Sequence, residues 1–330
     1  MRVGIAGTGT MGEVHAAAWR STDAELIGCI SVHPDQAEAL ASRYKMRAFT
    51  DYAELLNEVE IVDICTPTPL HQPMVLQAAK EGKHVICEKP VALTPEDART
   101  MILACKEAGV RFFVGMVVRF FPQYRLAKEL VANGRIGNLG VLRLKRVTYV
   151  PQKPPDNWYF DPTLSGGMVV DLMIHDFDYS RWLAGEVERV YARRSRSAGG
   201  PAQYVQAILR FQSGAIALVE GGWAYPPGVF RTALDLSGTD GLIEWNSDQP
   251  SPVLTFFPPK PSDTASVGLP VSGLGEDPYT AEIRHAYRAI QAGTDFEVTV
   301  EDALEALRIG RAIEESLSTG KPVLLCESEF

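Results

Sequence analysis

The amino-acid sequence predicts an α/β domain followed by an α+β domain: a doubly wound parallel sheet over residues 1–122, then an open, mostly antiparallel sheet with helices over residues 123–330. Three observations carry this. A chain of 330 residues is long for one hydrophobic core, so two domains are the default. Up to about Pro122, short apolar runs alternate with amphipathic helical segments, the rhythm of right-handed βαβ crossovers. Beyond it the chain turns β-rich, and turn signals such as Gln212-Ser213-Gly214 and Gly238-Thr239-Asp240-Gly241 join neighbouring strands as hairpins.

In the first domain the pattern predicts strands at 2–6, 25–31, 46–50, 60–66, 84–88 and 111–117. Helices fill the gaps at about 11–21, 34–44, 51–58, 69–82 and 95–109. Local chemistry marks their ends. Pro34 and Pro95 suit first-turn positions, Thr94 suits an N-cap with Asp97 in the first turn, and Gly82 and Gly109 suit helix stops. In the second domain a helix covers 122–134, with strands at 140–150, 188–197, 203–212, 215–225, 231–237 and 241–246. One helix, near 166–184, interrupts them. Residues 247–278, rich in Pro, Gly and Ser, read as an irregular excursion. Helices at 278–292 and 300–319 and a short strand at 322–326 close the chain.

Bulk composition narrows the function classes. A net charge of −9 argues against nucleic acid and anionic membranes as partners. Arg193, Arg194 and Arg196 form the one dense basic cluster, read as the solvated face of a strand. No secretory signal and no membrane-length apolar run is visible, so a soluble, cytoplasmic protein is expected. The five cysteines (Cys29, Cys65, Cys87, Cys105 and Cys326) are odd in number, lack a CxxC pair and read as reduced thiols. The six histidines show no metal-ligand spacing, so no metal is expected.

Gly7-Thr8-Gly9-Thr10-Met11-Gly12 is a G-x-G-x-x-G between an apolar strand and a helix, the context that makes it the fingerprint of a Rossmann dinucleotide site. The first glycine allows the tight turn, the second a close approach to pyrophosphate, and the third close helix–strand packing. An acidic residue at the end of the second strand would bind the ribose 2′-OH, but Ser31 stands there, followed by Val32 and His33. No Arg follows closely, so NAD or NADP is expected, with a slight lean to NADP. The fourth strand ends at Thr66-Pro67 and the fifth at Glu88-Lys89-Pro90. A Glu-Lys pair closing a buried strand suits a crevice with work for charge, a plainly solvated strand end being the alternative. In the second domain Asp171, His175 and Asp178 fall at i, i+4 and i+7 behind Gly166-Gly167, on one face of an otherwise apolar helix. Spacing alone leaves open whether they face a ligand or only each other.

The three motifs together, G-x-G-x-x-G, Glu88-Lys89-Pro90 and Gly166-Gly167-x-x-x-Asp171-x-x-x-His175, resemble the glucose–fructose oxidoreductase/inositol dehydrogenase (Gfo/Idh/MocA) family over essentially the whole chain. The stretch Ser165 to Leu183 looks most like the inositol 2-dehydrogenase branch. The resemblance implies an oxidoreductase that exchanges a hydride between a nicotinamide and a secondary alcohol or ketone of a sugar, polyol or cyclitol. It implies that Lys89, Asp171 and His175 meet at the nicotinamide, with His175 as general base, Lys89 donating to the reacting oxygen and Asp171 orienting substrate or Lys89. Thr66, Pro67 and His71 would line the nicotinamide ribose, and Arg119, Trp158 and Tyr159 are weaker substrate-pocket candidates. A cis Lys89-Pro90 bond and a homodimer or homotetramer built through the second sheet are further implications. Ser31 and Phe230 depart from the family's common pattern. Two other readings stand beside it: an NAD-assisted lyase or glycosidase on the same scaffold, and a non-catalytic sugar or nucleotide sensor.

The strand end at Ser31 yields a test. Wild type should use both dinucleotides with a mild NADP preference, because a hydroxyl donates to phosphate but lacks the bidentate grip of Arg. Ser31→Asp should swing the ratio of kcat/KM for NADP and NAD toward NAD, by adding ribose hydrogen bonds and a like-charge clash with the 2′-phosphate. A wild type that already strongly prefers NAD, with a ratio unmoved by the substitution, would show that Ser31 lies elsewhere.

Overall fold

A computed structural model of the chain describes residues 1–196, 201–248 and 276–325. Among these residues the chain divides into two compact units, Met1–Phe121 with Gly275–Leu304, and Pro122–Leu274 with Glu305–Phe330.

The first unit follows the expected βαβ rhythm. Its elements are β1 (Arg2–Ala6), α1 (Thr10–Trp19), β2 (Glu25–Ile30), α2 (Pro34–Tyr44), β3 (Arg47–Phe49), α3 (Tyr52–Glu58), β4 (Ile61–Ile64), α4 (His71–Lys80), β5 (His84–Glu88), α5 (Pro95–Glu107) and β6 (Phe112–Gly115). The six strands pair in parallel in the order β3-β2-β1-β4-β5-β6. Strand order reverses between β1 and β4, and ligands of such sheets bind in the crevice beyond the strands' carboxyl ends at that switch. Thr94 caps α5 as read, accepting from Asp97 N at 3.1 Å, with Pro95 in the first turn.

The second unit contains α6 (Pro122–Ala132), β7 (Leu139–Tyr149), a short α7 (Pro162–Ser165), α8 (Ile174–Ala184), β8 (Val187–Arg196), β9 (Gln203–Phe211), β10 (Ile216–Tyr225), β11 (Phe230–Gly238) and β12 (Leu242–Asn246). After α9 (Pro278–Ala292) and α10 (Val300–Thr319), a last strand, β13 (Val323–Leu324), joins the same sheet. Its order is β12-β11-β7-β10-β9-β8-β13. Both expected hairpins form, β9 with β10 and β11 with β12. One central pair differs from an antiparallel meander: β7 lies parallel to β10, Val141 opposite Ile216. Along β9 the alternation is clean, with Val205, Ala207, Leu209 and Phe211 buried and the residues between them outward.

Two expectations differ from what the structure shows. The compact units part between Phe121 and Pro122, and residues 275–304, read as part of the second domain, group with the first unit. The reason is aromatic packing: Tyr287 of α9 meets Trp19 of α1 edge to face at 5.6 Å, and Phe296 meets Phe113 of β6 at 5.2 Å. The helix read at 166–184 is not continuous. Gly166 and Gly167 both take left-handed φ values (79° and 74°), closing α7, and a π-helical turn at Val169–Met173 precedes α8. Asp171 therefore sits on the wider π turn and not on a regular i, i+4 face with His175. The excursion read at 247–278 lies almost wholly outside the described residues, as does Cys326.

A buried ion pair anchors α8 to the sheet. Asp176 accepts from Arg146 Nε at 2.7 Å and from Nη2 at 3.1 Å, both side chains being almost fully enclosed. Burial holds the Asp176 pKa above the ordinary carboxylate value, against the downward pull of the guanidinium beside it. Leaving either partner unpaired in such a place costs about 3–5 kcal/mol. Tyr124 of α6 completes the anchor, its ring edge-to-face with Tyr179 at 4.8 Å and its carbonyl accepting from the Tyr179 hydroxyl.

Candidate active site

In the first unit the glycine turn is built as its sequence demands. Gly7 has φ of 102° and sits so close to β4 that a Cβ would stand 2.5 Å from the Cys65 carbonyl oxygen. A Cβ on Gly12 would stand 2.0 Å from the Gly7 carbonyl oxygen. Neither position can bear a side chain without opening the turn. Gly9 is the N-cap of α1 and provides no side-chain cap, so Thr10, Met11 and Gly12 begin the helix with backbone N–H groups uncapped by any side chain. Thr8 Oγ1 is enclosed and has no hydrogen-bond partner among the described residues. A glycine cradle, a helix N-terminus and one orphaned hydroxyl fit a dinucleotide pyrophosphate.

The other first-unit candidates gather at the same strand ends. Ser31 follows β2, and its Oγ accepts from the backbone N–H of His33 at 3.1 Å, so its O–H remains to donate; His33 is exposed at the N-cap of α2. Thr66 and Pro67 follow β4, both half-buried. His71 is buried, with Nδ1 2.9 Å from the Pro90 carbonyl and Nε2 2.9 Å from the Thr66 carbonyl. Burial pushes its pKa below the ordinary value, against the pull of those carbonyls. Its role is thus to tie the two strand-end loops together. Glu88 ends β5 and is buried; Lys89 follows, half-buried, and the Lys89-Pro90 bond is cis, as expected. Arg119 is enclosed within its own unit, donating to the Glu297 carbonyl at 3.2 Å and paired with Asp302 at 3.1 Å.

In the second unit Asp171, His175 and Asp178 are all buried. The hydroxyl of Tyr159 donates to Asp171 Oδ2. Burial and then the Asp171 charge push the Tyr159 pKa far up, so it stays a donor. Tyr159 lies in a 3₁₀ turn, Trp158–Phe160, and stacks on Trp223 of β10 at 5.7 Å and 24°. Trp158 meets Tyr159 edge-on at 5.5 Å. Lys153 Nζ lies 5.5 Å over the Tyr159 ring; burial lowers its pKa while Asp171 raises it. Asp171 is therefore oriented by an aromatic hydroxyl that the sequence offered only as a weak pocket candidate.

Sequence reasoning passed over a buried polar cluster in the first unit. His15 of α1 lies between Asp63 of β4 and Glu88 of β5, and Trp19 Nε1 donates to Asp63 at 2.7 Å. The signal was present: Asp63 stands inside the apolar run Ile61-Val62-Asp63-Ile64, where a parallel strand covered on both faces has no ordinary place for charge. His15, Asp63 and Cys65 bring donors within 4.8 Å of one another, which is metal-ligand spacing. Each is engaged otherwise, His15 by two carboxylates, and burial pushes the Cys65 thiol up and away from the thiolate a metal needs.

Comparison with known proteins agrees with the geometry. Residues 1–116 match the model of an oxidoreductase family with an NAD-binding Rossmann fold, and residues 124–244 match the C-terminal domain model of the same GFO/IDH/MocA family. The chain belongs to the Gfo/Idh/MocA oxidoreductase family. It is 30% identical to the myo-inositol 2-dehydrogenase of Thermotoga maritima, the match covering 99% of each chain. It is 30% identical to the 1,5-anhydro-D-fructose reductase of Ensifer adhaerens over 97% of each. The crystal structure of GenD2 from gentamicin A biosynthesis, solved in complex with NAD, superposes with a TM-score of 0.86 at 26% identity, covering 99% of this chain and 97% of that one. The Gfo/Idh/MocA assignment makes the parallel sheet a nicotinamide-dinucleotide fold. Among the described residues no helix is long and apolar enough to cross a membrane.

The cradle gives a direct test. Gly12→Ala should weaken dinucleotide binding by more than about tenfold in fluorescence titration, since the new methyl must displace the Gly7 carbonyl. Unchanged affinity in a folded Gly12→Ala protein would mean that the turn holds no pyrophosphate.

Proposed function

We propose that this oxidoreductase interconverts a secondary alcohol and a ketone on a sugar, polyol or cyclitol, using NAD or NADP. The observation that carries the reading is the glycine cradle at Gly7–Gly12, with Lys89 following β5, two strands along from β1 in the same sheet. Substrate class follows from relatives whose names specify an inositol and an anhydro-sugar. When bound, the nicotinamide supplies or accepts the hydride. This chain's residues supply the proton chemistry. His175 takes the hydroxyl proton in oxidation and returns it in reduction, imidazole being the side chain that titrates nearest neutrality. Lys89 donates a hydrogen bond to the same oxygen and offsets its developing negative charge. Asp171, held by the Tyr159 hydroxyl, orients the substrate or the lysine. Trp158 belongs to the aromatic wall beside Tyr159 and is the remaining substrate-contact candidate.

The outer face of the second sheet supports an oligomer. Ile208, Leu218 and Leu242 are 44%, 40% and 53% exposed there. A groove of about 720 Å³ on that sheet is lined by Arg143, Lys145, Tyr191, Glu220 and Trp245 among others. Among the described residues, exposed apolar side chains rimmed by charge on this sheet face mark a contact surface. We read this face as the interface of a homodimer or homotetramer, and the unpaired cysteines as fitting the cytoplasm.

A panel of inositols, polyols and sugars, run with NAD⁺ and NADP⁺ while following reduced-nicotinamide absorbance, tests the activity. Lys89→Met should keep the fold and dinucleotide affinity while lowering kcat by roughly 10²–10⁴-fold. His175→Ala should lose turnover similarly and flatten the acid limb of the oxidation pH–rate profile, because the limb reports loss of the base by protonation. Near-normal turnover in Lys89→Met, or a wild-type pH profile in His175→Ala, would overturn the role of that residue. Light scattering at micromolar concentration should give a dimer or tetramer, and Leu218→Glu should shift it toward monomer; a strictly monomeric wild type refutes the interface.

A further inference from the structure

The Asp63–His15–Glu88 cluster does more than fill a core. His15 Nδ1 lies 2.9 Å from Asp63 Oδ2 and 3.0 Å from Oδ1, and His15 Nε2 lies 3.0 Å from Glu88 Oε1. The other Glu88 oxygen, Oε2, accepts from the backbone N–H of Lys89 at 3.0 Å. One chain of hydrogen bonds thus runs from the middle of β4, through helix α1 one turn beyond Gly12, to the main chain of Lys89. A doubly protonated imidazole donates from both nitrogens, one toward each carboxyl group. Burial opposes a charged His15, but Asp63 and Cys65 beside it together outweigh burial and lift the ring's pKa well above the ordinary value. From α9 Glu282 faces the same interior. Burial and then the Glu88 charge push its pKa far up, so it adds no third negative charge.

We propose that His15 is a positioning residue for Lys89: by bridging Asp63 and Glu88 it holds the Glu88 carboxylate against the Lys89 backbone N–H and so fixes where the lysine side chain starts. The inference rests on the proposed role of Lys89. Without the bridge, the Glu88 carboxylate is free to turn to solvent and release the Lys89 N–H. The glycine turn and the lysine would then no longer share one rigid connection through α1. The cost falls on the geometry of the reacting oxygen and not on dinucleotide affinity, since the cradle at Gly7–Gly12 is built by backbone alone.

The experiment compares His15→Ala, Glu88→Ala and Asp63→Asn in the full-length protein, with Lys89→Met as control. Steady-state kcat and KM are measured with the best substrate of the panel, NADH affinity by fluorescence, and folding by thermal melting. Asp63→Asn is the conservative rescue: the amide carbonyl still accepts from Trp19, its N–H donates to Nδ1, and a neutral ring still donates from Nε2 to Glu88. His15→Ala and Glu88→Ala should each lower kcat about 10²-fold, the usual cost of a small misplacement, with KM and NADH affinity within about threefold of wild type. Asp63→Asn should keep kcat within about threefold. If His15→Ala fails to fold, Glu88→Ala decides alone, since it cuts the bridge at its outer end. The proposal is overturned if Glu88→Ala retains kcat, if kcat falls only in step with NADH affinity, or if Asp63→Asn falls as far as the alanine variants. Active Lys89→Met would instead sink the catalytic reading itself; inactive Lys89→Met beside active Glu88→Ala sinks only the bridge.

Discussion

Burying Asp63 in the middle of β4 is the constraint from which much of the first unit follows. An ionised carboxylate taken out of water loses several kcal/mol of hydration unless partners replace it. Here the partners come from helix α1, as His15 and the Trp19 indole, and those two positions fix the rotation of α1 about its own axis. The glycine cradle at the start of the same helix needs no such help, since Gly12 lies against the Gly7 carbonyl, where only glycine fits. His15 then has one nitrogen left, and Glu88 takes it.

The second unit solves a parallel problem with different chemistry. Asp176 is as deeply buried as Asp63 but is met by a bidentate guanidinium, Arg146 of β7, which stays charged whatever its surroundings. That pair sits just beyond the π turn and holds α8 in register on the sheet. Asp171, on the π turn, is left to a neutral phenol, Tyr159, whose ring is clamped on Trp223. A structural carboxylate is met by a fixed cation, whereas the one with a proposed chemical role is steered by a neutral donor.

Much of this was legible beforehand, and the failures have physical causes. The strand–helix alternation, the glycine turn and the Glu88-Lys89-Pro90 strand end announce themselves because each depends on a local rule of backbone or burial. Gly166 and Gly167 were equally visible, but two glycines can open a helix or break one, and only the packing of the π turn decides. The assignment of α9 was invisible for another reason. An amphipathic helix declares that it has an apolar face, not which core receives it, and Tyr287 finds Trp19 across most of the chain. Asp63 and His15 were readable anomalies, a charge within an apolar strand and an imidazole within an alanine-rich helix. A sequence pairs neither with the other, since they lie on different elements and meet only after the sheet has formed.

The return of residues 275–304 to the first unit has a consequence for biosynthesis. Domains usually fold as they emerge, the N-terminal one first. Here the first unit lacks α9 until synthesis has passed β12, so its Trp19 surface and the interior around His15 stay uncovered while β7 to β12 are already out. The unit begun first is closed only after most of the second has been made. Any chain released early, short of α9, carries an unfinished dinucleotide fold with an aromatic surface open to chaperones and proteases.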